Sequence, residues 1–204
     1  MKIVCPFQSP YFANTYIIGE EGEPCIVVDP GNNQNGCLDR YVDKHHAGKV
    51  LAYLLTHGHY DHIYGLSNST HKAPIYIHEE DVKYLTDDRF NLLKGLKIEG
   101  YDIHELEDEE MLEIGGYSLK VIFTPFHTPG SVCFYNEKDK VLFSGDTLFH
   151  LSVGRSDLPG GDGRKMESSL AKLKKLPDET KVYPGHEQSS DLRTEKRLNP
   201  YLIS

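Results

Sequence analysis

The sequence predicts an α/β layered sandwich that forms one domain over residues 1–204. Two patterns carry that expectation: short apolar runs alternate twice with helical patterns, and each half of the chain holds hairpin-like strand pairs. A third points to the site, because histidines and aspartates collect just after the predicted strands, where layered sheets gather ligands at one edge.

The first strands are Thr15–Ile18 and Cys25–Val28, the latter closed by Asp29-Pro30-Gly31, a turn sequence. Cys37–Ala47 reads as a short helix and Val50–Leu55 as a buried strand ending at Thr56. Pro74–His78 is a further strand. Asp81–Leu85 starts a helix, with Glu80 and Asp81 suited to its positive N-terminal end. The acidic run Glu105–Glu110 reads as a solvated turn between strands. Met111–Ile114 and Tyr117–Phe123 flank Gly115-Gly116 as a hairpin, and Ser131–Tyr135 and Val141–Phe143 flank Asn136–Lys140 as a second. Lys165–Leu176 is the clearest amphipathic helix, with Met166, Leu170, Leu173 and Leu176 at helical spacing. Lys181–Tyr183 is the last strand, and the tail 191–204 adds a short helix stopped near Asn199-Pro200.

A net charge of -9 argues against a nucleic-acid partner, because phosphate binding wants a basic face. No apolar run approaches the roughly 20 residues of a membrane span, and the N-terminus has no signal-like apolar region. Cys5, Cys25, Cys37 and Cys133 form no CxxC pair, which suggests a reducing, cytoplasmic setting; Cys25 and Cys133 read as core residues.

The strongest chemical signal is Thr56-His57-Gly58-His59-Tyr60-Asp61-His62, directly after a predicted buried strand. In an extended segment His57 and His59 point the same way, while the adjacent Asp61 and His62 diverge from them and can serve a second metal. Gly58 leaves room for close backbone approach. His45-His46, a histidine pair with no partners in sequence, is the local contrast. His127, Asp146 and His186 each lie at or just beyond a strand end, in a glycine-containing turn. Any one of them alone is an ordinary turn residue; together they complete a ligand set of nitrogen and oxygen donors.

The pattern Thr56 to Gly65, THxHxDHxxG, resembles the signature of the metallo-β-lactamase superfamily, and His127, Asp146 and His186 are similar to its later motifs in order. The resemblance covers nearly the whole chain and implies a four-layer αββα sandwich with the site along one edge of the paired sheets. It also implies that His57, His59 and His127 hold one metal, that Asp61, His62 and His186 hold another, and that Asp146 bridges them. Asp29 is similar to the first motif and is expected to support the ligands. Within the superfamily the chain looks most like the glyoxalase II (hydroxyacylglutathione hydrolase) group, through Ser144–Phe149 and Gly185-His186-Glu187. Asp146 stands where class B1 β-lactamases carry a cysteine, which speaks against β-lactam hydrolysis. Phe126 replaces the glycine usual before the third motif's histidine and is expected to narrow the pocket. Asp157 and Gln188 stand where the group's glutathione-binding tyrosines would be, and its basic C-terminal extension does not follow His186.

These donors suit two divalent cations, zinc foremost, with iron or manganese also fitting. Two cations sharing a water lower its pKa towards about 7, so the expected nucleophile is hydroxide held beside Asp61 and Asp146, the carboxylates of catalytic interest. The motifs contain no dedicated general acid. A thiolate leaving group, with a thiol pKa near ~8.5, needs none, so the expected substrate is a small-molecule thioester or activated ester. Arg155 is a candidate substrate contact or a structural ion pair with Asp157 or Asp162. Tyr60 and Tyr64 either pack against the fold or line the pocket. The competing readings are a persulfide dioxygenase with one iron, whose Gly-Arg-x-Asp segment is similar to Gly154–Asp157, a nuclease, and a non-catalytic binding module of the same fold.

Overall fold

The structure, a computed structural model, describes residues 1–7 and 9–203. Two six-stranded sheets face one another. The first runs β1 (Ile3–Val4), β2 (Tyr16–Ile18), β3 (Cys25–Val28), β4 (Val50–Leu54), β5 (Ile75–His78) and β6 (Ile103–Leu106), with β3 to β6 mutually parallel. The second runs β7 (Met111–Ile114), β8 (Tyr117–Phe123), β9 (Val132–Asn136), β10 (Val141–Gly145), β11 (Lys181–Pro184) and β12 (Ser190–Asp191), antiparallel except for the β10–β11 pair.

Period-two alternation splits each buried strand between two cores. In β3, Ile26 and Val28 face the second sheet, packing with Phe134, Phe143 and Val121, while Cys25 and Val27 face outward onto Leu38 and Val42 of α1 (Cys37–His45). The second sheet repeats the arrangement. Cys133, Tyr135 and Leu142 turn away from the sandwich and are covered by Leu170 and Leu173 of α4 and by Leu192 of α5. Those helices are Met166–Lys174 and Leu192–Leu198. Helix, sheet, sheet, helix is the four-layer order expected, built because every central strand is apolar on both faces.

The parallel pairs place the site. Val28 and Leu54 are in register, so Asp29 and the segment after β4 emerge side by side; Gly145 and Pro184 are in register, so Asp146 and His186 do too. Ligands gather at the carboxyl ends of parallel strands. The two edges are tied together there, since Val132 N–H donates to Thr56 O at 2.9 Å.

Several elements differ from the sequence expectation. The acidic run 105–110 is only partly a turn, since Glu105 and Leu106 belong to β6, which pairs with β5 through alternation too weak to announce a strand. The expected helix at Asp81–Leu85 is a tight 3₁₀ segment, Glu79–Leu85. Tyr60–Ile63 forms a single helical turn, α2, and Asp88–Asn91 another, α3.

Phe134 is fully buried between the sheets. Phe134→Ala should lower the unfolding free energy by about 3–5 kcal/mol, read from the midpoint of urea denaturation, whereas Tyr11→Ala, at a residue 75% exposed, should leave that midpoint nearly unchanged.

Candidate metal centre

The seven predicted donors meet at the sheet edge in three overlapping groups: His57, His59 and His127; His57, His62 and Asp146; and Asp61, His62 and His186. Within each group the ligand atoms lie no more than 4.8 Å apart. His59 Nδ1 is 3.1 Å from His57 Nε2 and 3.0 Å from His127 Nε2. His186 Nε2 is 3.1 Å from Asp61 Oδ2. Asp146 stands between the two halves, with Oδ2 at 3.3 Å from His127 Nε2 and Oδ1 at 3.3 Å from His62 Nε2.

The far side of each ring fixes where its proton sits. His127 Nδ1 lies 2.7 Å from Arg155 O, an acceptor, so Nδ1 carries the proton and Nε2 offers a lone pair. His62 Nδ1 donates to Asp29 Oδ2 at 2.9 Å. Thr56 Oγ1 donates to Asp29 Oδ2 at 2.8 Å and is left as the acceptor for His57 Nδ1 at 3.2 Å. The Nε2 lone pairs of His127 and His57 therefore point into the site, and His62 turns its Nε2 to the same space. His59 Nδ1 can donate to only one of the two nitrogens beside it. His62 Nε2 and Asp146 Oδ1 are buried, have no hydrogen-bond partner, and face each other. Buried lone pairs opposed in this way are costly. Cations between them satisfy the arrangement, and the all-nitrogen-and-oxygen set fits divalent metals.

For His57 and His59 the electrostatics agree. Burial, with the neighbouring His62 and His127 rings, drives His57 well below the ordinary histidine value, and burial with His127 takes His59 down to about 3. These rings are neutral, the form that binds metal. Burial would lower His62 too, but the Asp29, Asp146 and Asp61 carboxylates outweigh it and hold the ring well above its ordinary value, so the space between His62 Nε2 and Asp146 Oδ1 calls for positive charge, a proton or the metal that displaces it. Burial would raise Asp146, yet His62, His127 and His186 keep it well below the usual carboxylate range.

Local backbone builds the cluster. Gly185 has no room for a β-carbon, which would collide with Asp146 Oδ1 and His62 Cε1. Gly58 is closed in the same way by Tyr84 Cβ and Cγ, so the space its missing side chain leaves is taken by a neighbouring side chain. Asp29, 1% exposed, also accepts from Thr56 N–H at 2.8 Å and supports two imidazoles at once, one directly and one through Thr56.

Two braces were missed in the sequence. Asp81 is fully buried and accepts from Gly58 N–H at 3.0 Å, Thr128 Oγ1 at 2.7 Å and Gly130 N–H at 2.8 Å, joining the 57–62 loop to the His127 loop. Burial pushes its carboxyl up to about 6 against those three donors. An acid just after a strand looks like a helix cap, and no local signal names partners 23 and 49 residues away. Asn14 holds the His186 turn, its Nδ2 donating to Pro184 O at 3.1 Å and Glu187 O at 2.9 Å. Its position just before a strand is the only hint.

A cavity of about 370 Å³ opens beside the cluster, lined by His59, Asp61, His127, Asp146 and His186 together with Tyr60, Leu92, Phe149, Arg155 and Leu158. Tyr60 lines it while also packing on the outer core of the first sheet; Tyr64 belongs to that core and stacks near Phe12. Arg155 lines it too and pairs with Asp157, not with Asp162, which pairs with Arg164. The expectation that Phe126 narrows the pocket is corrected: its ring is 1% exposed and turned into the protein, away from that lining. Gln188 lies on a separate shallow surface with Ser9 and Asn14. His45 and His46 take no part; His45 pairs with Glu21 at 2.8 Å.

The model of the metallo-beta-lactamase superfamily matches residues 9–186. The chain belongs to that superfamily, a family of metal-binding hydrolases. It is 36% identical to the probable metallo-hydrolase YqgX of Bacillus subtilis over 95% of this chain and 93% of that one. It is 32% identical to the hydroxyacylglutathione hydrolase GloC of Haemophilus influenzae, over 94% and 93%. Among solved structures it is similar to the BLEG-1 B3 metallo-beta-lactamase, with TM-score 0.87 and 34% identity over 100% and 99% of the two chains. It is also similar to TTHA1623 in a di-iron-bound form, with TM-score 0.74 and 35% identity over 96% and 98%. No helix of the described residues is long and apolar enough to cross a membrane.

Asp81→Ala strips the acceptor from three buried donors. An unpaired buried donor costs about 1–3 kcal/mol, so urea unfolding of Asp81→Ala should show at least that loss, with Asp81→Asn, which keeps one acceptor oxygen, falling between it and wild type.

Proposed function

We propose that the protein is a dinuclear metal-dependent thioesterase of the glyoxalase II type, acting on a small acyl-thiol. The observation that carries this reading is the pair of half-sites sharing Asp146. His57, His59 and His127 form one, and Asp61, His62 and His186 form the other. When bound, two divalent cations would supply an acidified water and an electrophile for the carbonyl oxygen. Zinc suits the donors, and iron or manganese fits as well. The relative named hydroxyacylglutathione hydrolase and the neighbour solved with two irons support the class.

The chain's own residues do the rest. Asp29 and Arg155 O keep His62 and His127 in the tautomer that presents Nε2 to the site. Asp61 and Asp146 offer carboxylate oxygens that can hold a water by its protons and orient it towards a carbonyl in the cavity. Tyr60, Leu92, Phe149 and Leu158 exclude bulk water from that carbonyl. Apart from the metal-site residues, the lining holds no free carboxyl, imidazole or ammonium to protonate a leaving group: Arg155 is a permanent cation and the Tyr60 hydroxyl is raised by burial. A thiolate leaves without that help, whereas an amide nitrogen does not.

The reasoning from the class B1 cysteine does not reach class B3 enzymes, and a B3 enzyme is among the structural neighbours. β-Lactams therefore belong in the test. Metal-loaded protein assayed on S-lactoylglutathione, simpler thioesters, a peptide and β-lactams should hydrolyse a thioester with the highest kcat/KM. Asp146→Ala should lose about 10³-fold or more in kcat. A β-lactam or peptide turned over faster than every thioester would overturn the assignment, as would a single bound iron with oxygen consumed on a persulfide.

A further inference from the structure

The cavity wall away from the seven donors is apolar. Leu92, Phe149 and Leu158 form it, with Tyr60 at one side. Its one cation, Arg155, is closed by Asp157 in a two-point pair, Nε to Oδ1 and Nη2 to Oδ2, both at 2.6 Å. This wall suits an uncharged group better than a carrier rich in carboxylates.

Leu92 reaches the cavity on a built excursion. Its φ is 72°, the left-handed region that costs a side-chain-bearing residue about 1–2 kcal/mol. Hydrogen bonds hold it there: Leu92 N–H donates to Asp88 O at 3.2 Å and Gly95 N–H to Asp88 Oδ2 at 3.0 Å. Asn91, fully buried, donates through Nδ2 to Tyr84 O at 2.9 Å and Leu96 O at 3.3 Å, and accepts from Leu93 N–H at 3.0 Å. Leu96 and Ile98 sink into the outer core of the first sheet and anchor the far end. The Phe149 part of the lining is fixed by a second left-handed leucine. Leu151, with φ of 57°, turns the chain so that Phe149 and Ser152 pair, and its N–H donates to the buried Glu195 at 2.9 Å. The Phe149 ring then stands 6.1 Å from that of His186, at 82°. Backbone strain maintained at or beside two lining residues marks walls whose position matters.

We infer that this wall receives an uncharged, apolar group joined to the scissile carbonyl, and that Leu92 sets how large a group is accepted. The inference rests on the thioesterase reading and narrows it to acyl groups with an aliphatic or aromatic face. The test compares acetyl, butyryl and hexanoyl thioesters of the neutral thiol N-acetylcysteamine on metal-loaded wild type, Leu92→Ala, Leu92→Gly and Leu92→Phe. One methylene in an apolar pocket is worth roughly 10–200-fold in kcat/KM. Leu92→Ala and Leu92→Gly should each raise the hexanoyl-to-acetyl ratio by about tenfold, and Leu92→Phe should lower it comparably. Alanine keeps the left-handed strain and glycine removes it, so a shift common to both reports pocket size rather than loop stability. An unchanged ratio in all three variants overturns the inference while leaving the thioesterase reading intact. If wild type hydrolyses no thioester, that reading fails by itself, and the inference is read from calorimetric affinities for hexanoate against acetate. A preference for hexanoate that Leu92→Phe abolishes supports it, and equal affinities in every variant overturn it.

Discussion

Lone pairs that face one another in a buried space repel unless a cation or a proton lies between them, and that constraint organises the whole edge of this sandwich. Arg155 O, Thr56 and Asp29 each claim a proton on the outer nitrogen of an imidazole, which turns the inner nitrogens of His127, His57 and His62 into the site. Asp146 adds a buried carboxylate oxygen 3.3 Å from His62 Nε2. Hydrophobic burial on either side of the sheets must sustain this concentration of polar atoms, which the cluster's own His62 and carboxylates neutralise only in part.

The scaffold meets that demand by paired parallel strands. The ends of β3 and β4 deliver Asp29 and the His57–His62 loop from one sheet, and the ends of β10 and β11 deliver Asp146 and His186 from the other. Strand ends alone would leave those loops free to drift. Asp81 therefore crosslinks the 57–62 loop to the His127 turn, and the segment 13–16 laces the sheets together across the site. Ala13 N–H donates to Asp61 O at 3.0 Å, Asn14 N–H to Gly185 O at 2.7 Å, and the Tyr16 hydroxyl to Pro184 O at 2.7 Å. Such braces are the part of a metal site that determines ligand orientation.

What was legible in the sequence divides along physical lines. Strands apolar on both faces, such as Cys25–Val28, and the tight hairpin Met111–Phe123 announced themselves through composition and glycine turns. The seven donors were legible because metal chemistry needs particular residue types at strand ends. The short β1 and the half-acidic β6 were not, because their pairing is decided by neighbours and not by their own pattern. Asp81 and Asn14 were invisible for the same reason: each acts on backbone groups distant in the chain. Phe126 was misplaced because a motif comparison says which residue stands beside His127 but not which way its side chain turns. The cavity wall at Leu92 depends on a positive φ that no leucine advertises.

The dinuclear proposal requires the cluster to hold two cations side by side. Titration of chelator-stripped protein with cobalt(II), followed by its visible absorption and by calorimetry, tests it most directly. Saturation is expected at two ions per chain, with the second lost when His186→Ala removes a donor from one half-site only. Saturation at a single ion, or no tight binding at all, would contradict it.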